Sequence, residues 1–432
     1  MKKLLFLLIS VLAIVLAASA GTRDDFKANI KASANNLQAY PDSNLPQLTP
    51  APSGYKPFYI DHYGRHGSRW LIDPKQYAQP VEQLAKADSA GKLTPRGREV
   101  LAVLRSVKAA SHKRLGELSD VGAEQHQRIA RRMYRNFPEV FAGQAVVDAR
   151  STVVIRCILS MLNEVDVLKS LNPAIKLTTD ASEHDMYYML PNDSIVVPKN
   201  ARDSELYDEL DEFRHRMLNG RHQFDTLFTD SGLAETFIDP YTFADGIWNI
   251  AADMQCLPEL NLSFLDLMTM DGMIDGHRSY NASWCLWEGL MPGARTSYHR
   301  IYPLLINFLD EADRMIRSGE SGVRLRFGHD SVVLPFAYAM GVREAVHATD
   351  DMEHLHETFS LFRLIPMAAN VQWIFYRKPG SDDILVKFLM NESETVIPVR
   401  TDCWPYYHWK DVSAFYRQKI QDANLIYTAD GK

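Results

Sequence analysis

The sequence predicts an α/β fold, a sheet flanked by helices, with an inserted and mainly helical smaller domain. Strand and helix patterns alternate up to residue 180 and return after residue 320, whereas helical patterns dominate the stretch between them. The length of 432 residues also exceeds the usual size of a single core. A large insertion or a second lobe is therefore expected.

The first predicted strand leads into the segment with the clearest chemistry. Phe58–Ile60 is aromatic and β-branched, which suits a buried strand. Arg65, His66 and Arg69 follow within the sequence RHGSR, where packing alone gives no reason for them. A guanidinium group offers a planar fork of donors to phosphate oxygens, and a neutral imidazole nitrogen is a nucleophile toward phosphorus. The segment therefore predicts a phosphoryl-binding site.

Three helices are predicted after this segment, each with a capping signal. Asp73 and Thr94 each precede a proline, which is the pattern of an N-cap followed by proline at the first helical position. The third helix is expected from about Asp120 to Asn136, opened by Ser119 or Asp120.

The second strand, Ala145–Ala149, is predicted to end near the same site. Ser151 or Thr152 is expected to cap the helix that follows. A strand–cap–helix unit places residues at the carboxyl edge of a parallel sheet, where α/β folds bind ligands. Arg156 falls in the first turn of that helix, and helix N-termini favour anions. Arg156 is thus a candidate phosphate ligand, with a surface arginine or an ion pair as the alternative.

Helical patterns dominate after a third short strand at Ala174–Thr179. They cover Ser204–Leu218, Pro240–Ala252, Leu262–Met270 and Thr296–Ile316. Strand patterns return at Val323–Phe327, Val371–Arg377, Ile384–Met390 and Thr395–Ile397.

The strand Val323–Phe327 ends in a second group with chemistry. Gly328, His329 and Asp330 follow it, and a helix begins near Ser331. Asp330 can be interpreted as a helix cap. Together with RHGSR, however, it supplies the acid that a leaving oxygen needs.

The first 20 residues have the pattern of an export signal. Lys2 and Lys3 precede an apolar run, and an A-x-A cleavage site ends at Ala20. A membrane anchor is the alternative, although the run is short for a span. The mature chain is expected to be periplasmic or secreted, with no membrane span after the signal is removed.

The net charge disfavours one class of partner, and the cysteine spacing disfavours one kind of metal site. A formal net charge of −7 at pH 7 disfavours nucleic acid, so the Arg-His-Arg cluster indicates a small phosphorylated substrate in a local positive pocket. The four cysteines lack the spacing of a zinc site. A disulfide between Cys256 and Cys285 is preferred by proximity, and the oligomeric state stays open.

At RHGSR and His329-Asp330 the sequence resembles the histidine phosphatase superfamily, specifically its acid phosphatase/phytase branch. That branch carries RHGxR near the N-terminus and HD far downstream. The segment Gly116–Gln125 and the group of Ser151, Thr152 and Arg156 are also similar to its motifs.

Within the branch, two segments look most like multiple inositol-polyphosphate phosphatases. These are FGHDSVVLPF at 327–336 and the tail Cys403-Trp404-Pro405. Those enzymes typically read His-Ala-Glu where this chain reads His329-Asp330-Ser331. The acid of this chain is therefore expected to be Asp330, as in acid phosphatases and phytases.

The resemblance implies a central mixed sheet and a two-step phosphomonoesterase that uses no metal and no cofactor. His66 would attack phosphorus and form a phosphohistidine, while Asp330 protonates the leaving oxygen and then activates water. The phosphate oxygens would be bound by Arg65, Arg69, Arg156 and His329. A protonated Asp330 and a cationic His329 predict an acidic to near-neutral optimum. Residues 1–20 would be the signal peptide, 21–180 and 320–432 the α/β catalytic domain, and 181–319 the helical insertion.

Other functions share parts of this pattern. A phosphoglycerate-mutase-type phosphotransferase has the RHG core, but the export signal and the helical insertion argue against it. A non-catalytic phosphate- or phosphosugar-binding protein needs neither a nucleophile nor an acid, so His66 and Asp330 disfavour it. A metallohydrolase is disfavoured because the histidines lack HExxH spacing. The sequence does not decide between inositol hexakisphosphate, sugar phosphates and small phosphomonoesters as the substrate. Trp70 is expected either at the cleft mouth or in the core.

Overall fold

The computed structural model describes residues 22–41, 45–191, 203–230, 232, 235–236, 238–294, 296–346 and 350–423. The predicted signal peptide at residues 1–20 lies outside the described residues. Among the described residues, no helix is both long enough and apolar enough to span a membrane.

A mixed sheet of eight strands forms the centre of the described chain. The strands are β1 (Lys56–Arg65), β2 (Val146–Ser151), β3 (Lys176–Asp180), β4 (Gly322–Gly328), β5 (Asn370–Arg377), β6 (Leu385–Met390), β7 (Ser393–Glu394) and β8 (Tyr406–His408). Their order across the sheet is β3-β2-β4-β1-β5-β6-β7, with β8 paired to β6. Strands β1 to β4 run parallel, and β5 runs antiparallel to β1. The predicted mixed α/β class is confirmed.

The α-helices of the described residues pack against this sheet and against one another. They are α1 (Thr22–Ala28), α2 (Pro74–Ser89), α3 (Pro95–Ala110), α4 (Asp120–Asn136), α5 (Ile155–Leu171), α6 (Met186–Met189), α7 (Asp203–Met217), α8 (Arg221–Leu227), α9 (Pro240–Asp253), α10 (Met270–Trp287), α11 (Tyr302–Ser318), α12 (Asp330–Met340), α13 (Leu361–Leu364) and α14 (Trp409–Asp422). A 3-10 helix at Ile30–Leu37 follows α1.

The three capping signals near the N-terminus were interpreted correctly. Asp73 caps α2 and forms a capping box with Gln76, and Thr94 caps α3 by accepting a hydrogen bond from the Gly97 amide. Ser119 caps α4. Each side-chain oxygen satisfies an amide that the first helical turn leaves without a partner.

Two predicted elements of the C-terminal half are wrong. The predicted helix at Leu262–Met270 contains only a 3-10 turn, and the helix α10 begins where the prediction ended, capped by Thr269. Position 276 inside α10 is a glycine because the helix packs closely on Trp248 there. A Cβ on Gly276 would stand 2.8 Å from the indole nitrogen. The predicted strand at Thr395–Ile397 is absent from the sheet, whose short edge strands are β7 and β8.

Cys256 and Cys285 belong to two different apolar clusters. Cys285 belongs to the cluster around Trp373, and Cys256 belongs to the cluster in which α2 and α3 pack against α8 and α9. The preferred disulfide is therefore wrong, and all four cysteines are free thiols. Trp70 is fully buried in the second cluster, so it is a core residue and does not lie at the cleft mouth.

The parallel strands bring three chain segments to one edge of the sheet. In the register of the sheet, Arg65 at the end of β1 pairs with Gly328 at the end of β4. Ser151 at the end of β2 pairs with Phe327. The residues that follow these three strands therefore meet, although they lie far apart in the sequence.

Candidate active site

The three strand ends are joined by backbone hydrogen bonds. The His66 amide donates to the Gly328 carbonyl at 2.9 Å, and the Thr152 amide donates to the Phe327 carbonyl at 2.9 Å. The rings of His66 and His329 lie edge to face, with centroids 5.8 Å apart. The sequence-predicted pair of His66 and the His329-Asp330 turn is thus brought together in space.

The RHGSR loop is held by hydrogen bonds to α4 and α5. The Gly67 amide donates to Ser160 Oγ of α5 at 3.1 Å. The Ser68 amide donates to Gln125 Oε1 of α4 at 2.9 Å, and the Ser119 amide at the cap of α4 donates to the Ser68 carbonyl at 2.9 Å. Side chains that pin backbone amides in this way leave the loop little freedom, which is what a preorganised site needs.

Two glycines allow the loop and α4 to touch backbone to backbone. A Cβ on Gly67 would stand 2.4 Å from the Gly122 carbonyl oxygen, and a Cβ on Gly122 would stand 2.2 Å from the Ser68 carbonyl oxygen. Both distances lie far inside van der Waals contact. Glycine is required at both positions because of this approach.

His66 is oriented as a nucleophile. Its side chain is buried, and its Nδ1 lies 2.9 Å from the Gly67 carbonyl oxygen. A carbonyl accepts only, so Nδ1 carries the proton and Nε2 keeps its lone pair. Burial, followed by the charges of Arg65 and Arg156, holds the pKa of His66 well below its usual value. The lowered pKa favours the neutral form of the ring.

Arg65 is the most constrained cation of the site. Its side chain is fully buried. Nη1 donates to the Ile365 carbonyl at 2.7 Å and to the Asn36 carbonyl, and Nη2 lies 2.6 Å from Asp330 Oδ2. Burial lowers the pKa of Arg65 to about 10, so the group stays charged at neutral pH.

The guanidinium groups of Arg65, Arg69 and Arg156 share one feature with six other described arginines. The Nε atom of each is buried and has no hydrogen-bond partner among the described residues. Burial, together with the charge of Arg69, lowers the pKa of Arg156, so these cations also repel one another. Buried unpaired donors cost about 1–3 kcal/mol each and call for an explanation. What distinguishes these three arginines is that their charges act on one another and on His66, and this concentration of positive charge favours a bound anion.

His329 and Asp330 form the opposite side of the site at the start of α12. Burial, followed by the charge of Arg156, lowers the pKa of His329 to about 4, so the expected cationic His329 requires an anion close to the ring. Burial raises the pKa of Asp330, but the positive charges of Arg65 and Arg69 outweigh it and bring the net value below normal. A bound phosphate dianion would offset those charges and raise the pKa of both groups.

Residue Asn36 of the 3-10 helix was not predicted to take part. Its Nδ2 donates to Asp330 Oδ2 at 3.2 Å, and its carbonyl oxygen accepts from Arg65. Asn36 therefore joins the acid to the first arginine across a sequence separation of 294 residues. No local pattern in the sequence indicates such a contact.

The predicted capping roles of Ser151 and Thr152 are wrong. The helix α5 begins at Ile155, and its N-cap position, Val154, makes no side-chain hydrogen bond. Ser151 is the last residue of β2. Thr152 instead places Oγ1 3.2 Å from His329 Nε2. Arg156 does lie in the first turn of α5, as predicted.

The fold is that of the histidine phosphatase-like α/β proteins, a mixed sheet with the candidate site at the carboxyl ends of its parallel strands. No family model matches the chain. The chain is similar to multiple inositol polyphosphate phosphatase 1 of Gallus gallus, with 20% identity over 469 residues, 98% of this chain and 94% of that protein.

Two solved structures share the fold over almost the whole chain. One is a multiple inositol polyphosphate phosphatase of Bifidobacterium longum in complex with inositol hexasulfate. It has 18% identity and a TM-score of 0.76, covering 93% of this chain and 98% of that chain. The other is a phytase of D. castellii, with 15% identity and a TM-score of 0.68, covering 91% of this chain and 86% of that chain. The resemblance to inositol-polyphosphate phosphatases and phytases that the sequence indicated is confirmed.

Proposed function

We propose that the protein is a phosphomonoesterase of the histidine acid phosphatase type, acting on inositol polyphosphates or other small phosphate esters. The observation that carries this proposal is that the positive charges of Arg65, Arg69 and Arg156 act on a buried His66, whose Nδ1 faces the Gly67 carbonyl, beside Asp330. The similar proteins are named as inositol polyphosphate phosphatases and a phytase, which supports the substrate class.

The first chemical step is transfer of the phosphoryl group to His66. The Nε2 lone pair attacks phosphorus in line with the ester oxygen, so the N–P bond forms while the P–O bond to the leaving group breaks. Asp330 gives its proton to the departing oxygen. The arginine cations and His329 stabilise the charge on the equatorial oxygens, which is the main task of a phosphoryl-transfer site.

The second step releases phosphate. Asp330, now a carboxylate, takes a proton from water as the water oxygen attacks phosphorus, and the N–P bond breaks. Asp330 is protonated again at the end of the cycle. The contacts of its Oδ2 with Arg65 and Asn36 keep the carboxyl in place through both steps.

The location and the domain division are further parts of the proposal. The apolar run and the A-x-A site at residues 4–20 support export to the periplasm or the medium. Residues 21–180 and 320–432 would form the catalytic domain, and 181–319 the helical insertion. The helical character of the described elements between β3 and β4 supports this division.

A phosphate-release panel tests the function. Purified protein is assayed with inositol hexakisphosphate, glucose 1-phosphate and p-nitrophenyl phosphate across acidic and neutral pH, with and without a chelator. We expect turnover of the inositol ester and of p-nitrophenyl phosphate, with an acidic optimum and no loss of rate on chelation. Binding of phosphate without any turnover would favour a phosphate-binding protein instead.

A further inference from the structure

A second cluster of chemically reactive side chains lies at the opposite edge of the sheet from His66. It consists of Asp402, Cys403 and His408, and it is called the Cys403 cluster below. His408 of β8 pairs with Leu385 at the start of β6. Through β5, Leu385 is level with the start of β1, whereas His66 follows the end of β1. The ten residues of β1 separate the two places by roughly 30 Å.

The donor atoms of the Cys403 cluster have the spacing of a metal site. One donor atom from each of the three residues lies within 4.8 Å of the other two. Nε2 of His408 is 3.1 Å from Asp402 Oδ1 and 4.0 Å from Cys403 Sγ. A tetrahedral zinc ion with bonds of about 2.0–2.3 Å holds its ligand atoms about 3.3–3.7 Å apart. Small side-chain adjustments therefore suffice to coordinate one ion.

His408 is already oriented for coordination. Its Nδ1 lies 2.9 and 3.0 Å from the two carboxylate oxygens of Asp383, and the Tyr55 hydroxyl donates to the same carboxylate at 2.9 Å. The ring therefore donates from Nδ1 and directs Nε2 toward Cys403 and Asp402. A carboxylate that fixes the second nitrogen of a ligating histidine is the usual outer shell of a zinc site.

A simple ion pair accounts for only part of this arrangement. A doubly protonated His408 between Asp383 and Asp402 would explain the two carboxylates, and the Cys403 thiol has partners of its own, the Tyr406 carbonyl oxygen at 3.5 Å and Thr401 Oγ1 at 3.4 Å. The ion pair does not account for the approach of the Cys403 sulfur to within 4.0 Å of His408 Nε2. The other described group with such spacing, Asp180, His184 and Asp185, has an ordinary explanation, because Arg150 donates to both oxygens of Asp185 at 3.0 Å. No lysine or arginine forms a salt bridge with Asp402 or Asp383 among the described contacts.

We propose that Asp402, Cys403 and His408 bind a zinc-class divalent cation, with water at the fourth position. On binding, the Cys403 thiol and the protonated Nε2 of His408 each release a proton to water, and the metal bonds to the thiolate sulfur and to the Nε2 lone pair. The ion would tie the loop at 401–405 to β8 and the start of α14. This site is independent of the phosphatase proposal, because it lies at the other edge of the sheet.

The exposure of the cysteines makes the test specific. Cys403 is partly exposed, whereas Cys157, Cys256 and Cys285 are buried. In the folded full-length protein, a chromogenic disulfide reagent should therefore react quickly with one thiol. We expect zinc added to chelator-treated protein to suppress that reaction, and calorimetry to give one zinc per chain.

Three variants identify the ligands. Cys403→Ser and Asp402→Asn should each weaken zinc binding strongly, and Asp383→Asn should weaken it about 10–100-fold through the orientation of His408. Asp382→Asn is the matched control, since Asp382 is exposed and has no part in the cluster. Because the Asp402 side chain is 85% exposed, the Asp402→Asn protein should fold even if the others do not.

Two results would overturn the proposal. One is a Cys403 thiol that reacts equally fast with and without excess zinc, and the other is Asp402→Asn and Asp383→Asn proteins that bind zinc as tightly as the Asp382→Asn control. Phosphate release is measured in parallel and is expected to be equal with zinc and with chelator. Loss of turnover in every condition would count against the phosphatase proposal alone.

Discussion

At the scale of single residues, the tautomer of His66 decides its role. The contact from Nδ1 to the Gly67 carbonyl leaves Nε2 as the reactive nitrogen. We predict that His66→Ala abolishes turnover of every phosphomonoester, because the site then lacks the nitrogen that accepts the phosphoryl group. The measurement is phosphate release, together with detection of an acid-labile phosphoenzyme in the parent protein. His184→Ala is the control, since this histidine is 71% exposed and outside the site; an active His66→Ala protein would remove His66 from the mechanism.

Asp330 gives a second prediction, which depends on the leaving group. Asp330→Asn cannot donate a proton, so kcat for inositol hexakisphosphate should fall by about 10²–10⁴. The loss should be much smaller for p-nitrophenyl phosphate, whose phenolate leaves with little protonation. Rates for both substrates on the same preparation check this. An equal loss on the two esters would show that the residue acts in positioning and not as the acid.

The residues of the site differ in how far the sequence can predict them. Arg65, His66, Arg69, His329 and Asp330 stand in two short motifs at strand ends, and the topology brings both motifs to one edge. Asn36 carries no such signal, because its contact with Asp330 depends on how a segment near the N-terminus folds over the site. The sequence predicts a cap at Ser151 or Thr152, because it does not reveal that β2 runs on to Ser151.

At the scale of elements, the contact between the RHGSR loop and α4 controls the geometry of the site. We predict that Gly122→Ala leaves a folded protein with at least about 10²-fold lower kcat/KM. The new Cβ would stand 2.2 Å from the Ser68 carbonyl oxygen, so loop and helix must separate, and a displacement near 1 Å costs this much. Circular dichroism checks that the variant is folded, and phosphate release measures the loss in kcat/KM.

Gly91→Asn is the matched control for that variant. Gly91 has a φ of +69°, and a Cβ there would meet nothing within 4 Å, while asparagine tolerates such a backbone. Its activity should equal that of the parent. A fully active Gly122→Ala protein would mean that the loop is less constrained than its hydrogen bonds indicate.

The elements themselves were predictable where a local signal marks their ends. Asp73, Thr94 and Ser119 each cap a helix at the predicted position. The helix α10 was missed because glycine and charged residues interrupt its apolar pattern, although the packing of Gly276 on Trp248 favours the helix. The short strand β8 was missed because only its pairing with β6 defines it.

At the scale of the whole molecule, buried carboxyl groups link stability to pH. Asp253 is fully buried, with Tyr77 as its hydroxyl donor at 3.3 Å, and burial raises its pKa to about 7 even though the charge of Arg69 opposes this. Burial likewise raises the pKa of Asp61 to about 6, against the charge of Arg326.

The sign of the effect follows from proton counting. Between the ordinary carboxyl pKa near 4 and a folded-state pKa near 7, the native state binds more protons than the unfolded chain, so stability is greatest at the acidic end and is lost as pH rises. We predict that the melting temperature of the parent falls between about pH 5 and pH 8, and that it falls less in Asp253→Asn, which has no proton to lose there. The expected difference in unfolding free energy is on the order of a few kcal/mol. Asp382→Asn, an exposed change, should follow the parent, and an Asp253→Asn protein that did so too would mean that Asp253 ionises normally beside Arg69.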